Sequence, residues 1–119
     1  MPDPYKLGLE HLRAGRYFEA HEELELAWRA APPEERDFYQ GLVHVAVAWY
    51  QAGRGRTIGA ERQLAKALRR LERYEPTHCG VDVAALRRQL AELRDADLLP
   101  TDAPRVAAPP RDPPPTGAR

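Results

Sequence analysis

The chain has 119 residues, 43% of them hydrophobic and 30% charged, with eighteen Lys and Arg balancing eighteen Asp and Glu. That length fits one soluble globular domain and excludes a multidomain enzyme, while the balanced charge gives no polyanion-binding signal and leaves little net repulsion to oppose self-association. The single Cys79 excludes an intramolecular disulfide framework, and no membrane-length apolar window or leader-like N-terminus is apparent, so the expectation is a cytoplasmic protein with no membrane partner.

β-branched residues are few and no segment alternates apolar and polar side chains, so the fold is expected to be all-α with no sheet. The first helix is expected near 3–14, with Pro4 in its first turn, Tyr5, Leu9 and Leu12 as its apolar stripe, and Gly15 as its stop. A second, near 16–31, ends where Pro32 and Pro33 cannot continue it. Stepping about 100° per residue gathers Tyr17, Ala20, Leu24, Trp28 and Ala31 into one apolar arc.

The third helix, near 34–52, has Glu34, Glu35 and Asp37 in its first turn, where the helix dipole favours negative charge, and Gly53 at its end. It is apolar almost all round except for one strip of Gln40, His44 and Gln51. Trp28 and Trp49 both fall in apolar arcs and are expected to be buried. The fourth helix, near 58–74, takes Thr57 as its N-cap and Pro76 as its stop, and the fifth, near 82–95, takes Asp82 as its N-cap. Short loops imply a compact five-helix bundle of antiparallel hairpins.

Two features qualify this plan. An aromatic and glycine-marked helix pair ending in proline occurs twice, with Ala20 and Ala60 as equivalent positions, which gives a tetratricopeptide-like pattern, although that repeat runs to about 34 residues and needs about three copies. Seven of the twelve prolines fall in residues 100–119, which divides the chain into a helical domain, 1–99, and a Pro-rich tail expected to be disordered, 100–119.

The candidate site begins with His21, Glu22 and Glu25 on the second helix. His21 and Glu25 are one turn apart at the edge of the apolar arc, where a carboxylate can orient an imidazole or join it in binding a divalent metal. His44 lies as far beyond the Pro32 and Pro33 turn as His21 lies before it. Antiparallel packing would therefore bring His21 and His44 to similar heights, with Gln40 lower and nearer Glu25, and Gly41 would permit a close approach. The expectation is one polar cluster between the second and third helices.

Residues 1–53 hold five basic and nine acidic side chains, whereas the stretch after Gly53 is net basic. Its run from Arg54 to Arg73 carries no nucleic-acid fingerprint and reads as a solvated helix face. His78, Cys79 and Gly80 put an imidazole beside a thiol, without a further ligand nearby in sequence.

The run from Gly15 through His21, Glu22, Glu25 and Trp28, followed by Gln40 and Gly41 and later by Gly59 and Ala60, resembles the small prokaryotic domain-of-unknown-function family numbered 309 over roughly residues 5–75. The resemblance implies an all-helical bundle of no established activity, and it points to His21, Glu22, Glu25, Trp28, Gln40 and Gly41. Two functions follow as expectations. One is a non-enzymatic module for protein interaction or self-association, without a cofactor. The other is a small metal-dependent hydrolase using His21, Glu22 and Glu25, with His21 and Glu25 on the metal. Neither identifies a small-molecule ligand.

Overall fold

Proline and glycine set most of the helix ends in the computed structural model, which describes residues 3–97, 100 and 102–108. Asp3 accepts a hydrogen bond from the amide of Tyr5 and opens α1 (Pro4–Ala14); Gly15, at φ 79°, closes it in the left-handed conformation that glycine adopts without a Cβ penalty. α2 (Tyr17–Ala30) stops before Pro32, and α3 (Pro33–Gly53) starts on Pro33, whose missing N–H is no loss in a first turn. α4 (Thr57–Leu71) runs into a 3-10 turn (Glu72–Tyr74), and α5 (Val83–Asp95) is capped by Asp82, whose Oδ1 accepts from the Ala85 amide at 2.9 Å.

Five helices therefore lie within a few residues of the expected places. Thr57 is not the cap of α4: Arg56 holds that position and makes no side-chain capping bond. The expectation of no sheet also needs correction, because β1 (Thr77–His78) and β2 (Val81–Asp82) pair antiparallel, Thr77 opposite Asp82 and His78 opposite Val81. Gly80, at φ 76°, and Cys79, at φ 45°, make the tight reversal between strands too short for an alternating pattern to be visible.

Consecutive helices pack on one another, and α3 is the centre, with α2 on one flank and α4 on the other. Its Phe38, Leu42, Val45, Ala46 and Trp49 meet Leu9 and Leu12 of α1, Ala20 and Leu24 of α2, Leu64 and Leu71 of α4, and Leu86 and Leu90 of α5 in one core. Each large apolar side chain buried there contributes about 1.5–3 kcal/mol. Close crossings are made by glycine: a Cβ at Gly8 would stand 2.7 Å from the Leu24 side chain, and one at Gly41 would stand 2.7 Å from that of Leu71. Arg70 Nη1 meets Asp37 Oδ1 at 2.7 Å and Arg73 lies 3.6 Å from Oδ2, so part of the basic run on α4 is tied to the first turns of α3.

Trp49 is buried as expected, but Trp28 is only half-buried, with the Arg36 guanidinium 4.8 Å over its ring. The apolar arc of α2 is narrower than its wheel suggests, and Trp28 lies at its margin, where the flat cation of Arg36 covers it.

Contacts with the bundle do not end at residue 99. Residues 102–107 lie across the helices as a strap: Trp49 Nε1 donates to the Asp102 carbonyl, Gln89 Nε2 to that of Ala103, Arg13 Nη2 to that of Val106, and the Asp82 amide to that of Ala107. The Val106 side chain is buried in the core cluster. The expectation for 109–119 lies outside the described residues.

Candidate functional site

His21 and Glu25 are brought together as the helical spacing requires. His21 Nε2 stands 3.3 Å from Glu25 Oε1, and Glu25 Oε2 stands 3.9 Å from Arg29 Nη2, one turn further along α2. The ladder is partly exposed, so its contacts are worth little to stability, on the order of 0.3–0.5 kcal/mol each. Its imidazole lines an open depression of about 180 Å³ with Phe18, Val47, Tyr50 and Gln51. A second depression of about 310 Å³ adjoins it, between Phe18, Glu22, Glu25 and Leu26. The Phe18 ring lies 6.0 Å from that of His21 and 5.8 Å from that of Tyr50, and separates the two.

His44 takes its partner elsewhere. Its Nδ1 lies 2.7 Å from Oε1 of Gln63, on α4, and the amide oxygen at that position makes Nδ1 the donor. Burial, opposed by this hydrogen bond and reinforced by the nearby positive charges of Arg70, Lys66 and Arg69, pushes the His44 pKa below its ordinary value. The second ring nitrogen, Nε2, is buried without a partner among the described residues, as is Oε1 of Gln51.

The expected four-residue cluster between α2 and α3 is thus divided. Its premise was that the polar strip of α3 faces α2, with Gly41 allowing that approach. Instead Gly41 admits Leu71 of α4, Gly59 of α4 lies beside Gln51, and His44 binds Gln63. Equal height along two antiparallel helices is correct geometry, but it does not say which flank of the central helix carries the strip. Gln40 is half-buried, and among the described residues no hydrogen bond joins it to His21 or Glu25. Glu22 is exposed on the outer face of α2.

Gln63 was missed because it is one of several polar residues in a strongly amphipathic helix; its place one turn before Ala67 on the flank facing α3 was the available signal. A second missed feature is a grouping at the opposite end of α3. Among the described residues, the one group of three metal-ligating side chains close enough to share an ion is Glu35, His78 and Cys79, and not His21 with Glu22 and Glu25. Also among the described residues, no helix is long and apolar enough to cross a membrane.

Comparison with known proteins places these features. The chain is 42% identical over 57 residues to the uncharacterised protein YpuF of Bacillus subtilis (strain 168), a match that covers 47% of this chain and 33% of that relative, so the chain spans about a third of the relative's length. No solved structure matches. The model of the family described as Domain of unknown function (DUF309) matches residues 5–74, which takes in α1 to α4 with His21, Glu22, Glu25, Gln40 and His44 and leaves out the hairpin, α5 and the strap. By that match over more than half of its length, the chain belongs to the DUF309 family.

Proposed function

We propose that the protein is a non-enzymatic helical module that associates with a second copy of itself through the outer face of α2. The observation that carries this reading is the pair Phe18 and Leu26, each 49% exposed and two turns apart on one face of the helix, with Glu22 between them. Ile58, at the start of α4, is 66% exposed. Gln51 of α3 touches both neighbourhoods, since it lines the Phe18 depression and stands 3.6 Å from the Cβ position of Gly59.

Charge favours a second copy over an unrelated partner. The exposed face of α2 carries Glu19 and Glu22, while that of α4 carries Arg62, Lys66 and Arg69. In a two-fold pair the acidic face of each copy meets the basic face of the other, so the contact is made twice. Nucleic acid would be repelled by the acidic half of the same surface.

Light scattering on the eluting protein tests the reading. A concentration-dependent dimer is expected, converted to monomer by Phe18→Glu with Leu26→Glu and weakened by salt. A monomer at all concentrations, or a double variant that associates like the parent, would overturn it. The pairing of His21 with Glu25 beside an open depression favours a second reading, a small hydrolase with its divalent metal on His21 and Glu25. Its support would be thermal stabilisation by a divalent metal that His21→Ala removes while the fold stays intact.

A further inference from the structure

We propose that Glu35, His78 and Cys79 form a binding site for a single zinc-class divalent cation. The reading is independent of the α2 face and lies partly beyond the segment that matches the family, since Glu35 falls inside residues 5–74 while His78 and Cys79 follow it.

The three side chains come from two elements far apart in sequence. Glu35 stands in the first turn of α3, while His78 ends β1 and Cys79 begins the reversal to β2. Their ligand atoms, a carboxylate oxygen, an imidazole nitrogen and a thiol sulfur, all lie within 4.8 Å of one another. One thiolate, one imidazole and one carboxylate match the ligand preferences of zinc, occupy three corners of its tetrahedron and leave the fourth for water. Calcium and magnesium prefer all-oxygen sets, so the sulfur selects against both.

The surroundings hold each ligand from behind. The His78 ring sits 4.7 Å from the rings of both Phe38 and Tyr74, which fixes its plane, and its Nε2 faces Oε2 of Glu35 directly. The hydroxyl of Tyr5 donates to the Cys79 carbonyl at 2.7 Å, which anchors the hairpin tip to α1. Such outer contacts orient ligands in metal sites.

Charge also balances. A thiolate and a carboxylate offset the two positive charges of the ion, and the imidazole binds neutral. The thiol binds the ion as thiolate and must give up its proton to do so. Binding therefore releases that proton to solvent, and affinity should rise with pH.

The test uses the full chain, reduced and free of any affinity tag, titrated with Co²⁺ and then Zn²⁺. Co²⁺ is expected to bind at one equivalent, with a thiolate charge-transfer band in the near ultraviolet and the visible bands of tetrahedral cobalt, both removed by Zn²⁺. Cys79→Ser, at an exposed position, should abolish the charge-transfer band while circular dichroism is unchanged, and Glu35→Gln should weaken binding at least about tenfold. His21→Ala should leave the titration unaltered. Absence of the charge-transfer band in the parent, Cys79→Ser binding as the parent does, or loss of binding in His21→Ala would each overturn the proposal.

Discussion

The indole N–H of Trp49 donates to the backbone carbonyl of Asp102 at 2.7 Å, which ties the C-terminal half of the central helix to a segment 53 residues further along the chain. Trp49→Phe keeps an aromatic ring but removes the bond and part of the buried indole, so it should cost more than the bond alone, which is worth about 0.5–1.5 kcal/mol. Val106→Ala removes two methyl groups from the core and should cost roughly 1–3 kcal/mol. Urea denaturation of each single variant and of the pair checks both, and additivity within the error would show that the strap is held at two independent points.

His44 should make the fold sensitive to acid. Its folded pKa lies below the ordinary histidine value of 6.5, because the ring is buried among positive charges. The unfolded chain then binds the extra proton first, so stability is fully present above about pH 6.5 and falls as the pH drops from there towards the folded pKa. Thermal melts of the parent and of His44→Gln between pH 5 and 8 should diverge in slope, with the variant flatter. Equal slopes would place the acid sensitivity elsewhere.

Gly41→Ala tests the crossing of α3 and α4. Alanine is the better helix former by about 1 kcal/mol, yet its Cβ would stand 2.7 Å from Leu71, which is fully buried. Overpacking of this kind costs about 1–3 kcal/mol, so the net change should be destabilising. The double variant with Leu71→Ala should be less destabilised than the sum of the two single variants, as read from denaturation midpoints. A stabilised Gly41→Ala would show that α4 gives way.

Gln63→Leu should cost about 1–3 kcal/mol, because it leaves the His44 Nδ1–H buried without an acceptor. Gln63→Glu should instead raise the His44 pKa by placing a negative charge against the ring, measurable by the chemical shift of its carbon-bound protons during titration. An unmoved titration would separate the two side chains in solution.

Helix number and limits are legible in this sequence because Pro4, Gly15, Pro33 and Gly53 mark them in the backbone itself. Which neighbour a helix face meets is not. The strip of Gln40, His44 and Gln51 is visible as a strip, but its orientation is decided by two glycines on different helices, Gly41 and Gly59, and by Gln63, none of which has meaning until α4 is placed. The strap was hidden for another reason. Prolines remove amide donors and so suggest a chain that cannot pair, yet a proline-rich segment keeps every carbonyl, and here the donors come from Trp49, Gln89, Arg13 and the Asp82 amide. The grouping of Glu35 with His78 and Cys79 depends on a separation of 43 residues that no local spacing records.

Because the strap is held from outside by a few bonds and one buried valine, it has its own opening equilibrium, separate from the cooperative unfolding of the bundle. Hydrogen exchange would resolve two classes of proton within one residue: the Trp49 indole proton exchanging whenever the strap lifts, and the Trp49 amide proton, inside α3, exchanging only when the helices come apart. The difference between their protection factors measures the strength of the latch directly, without any substitution.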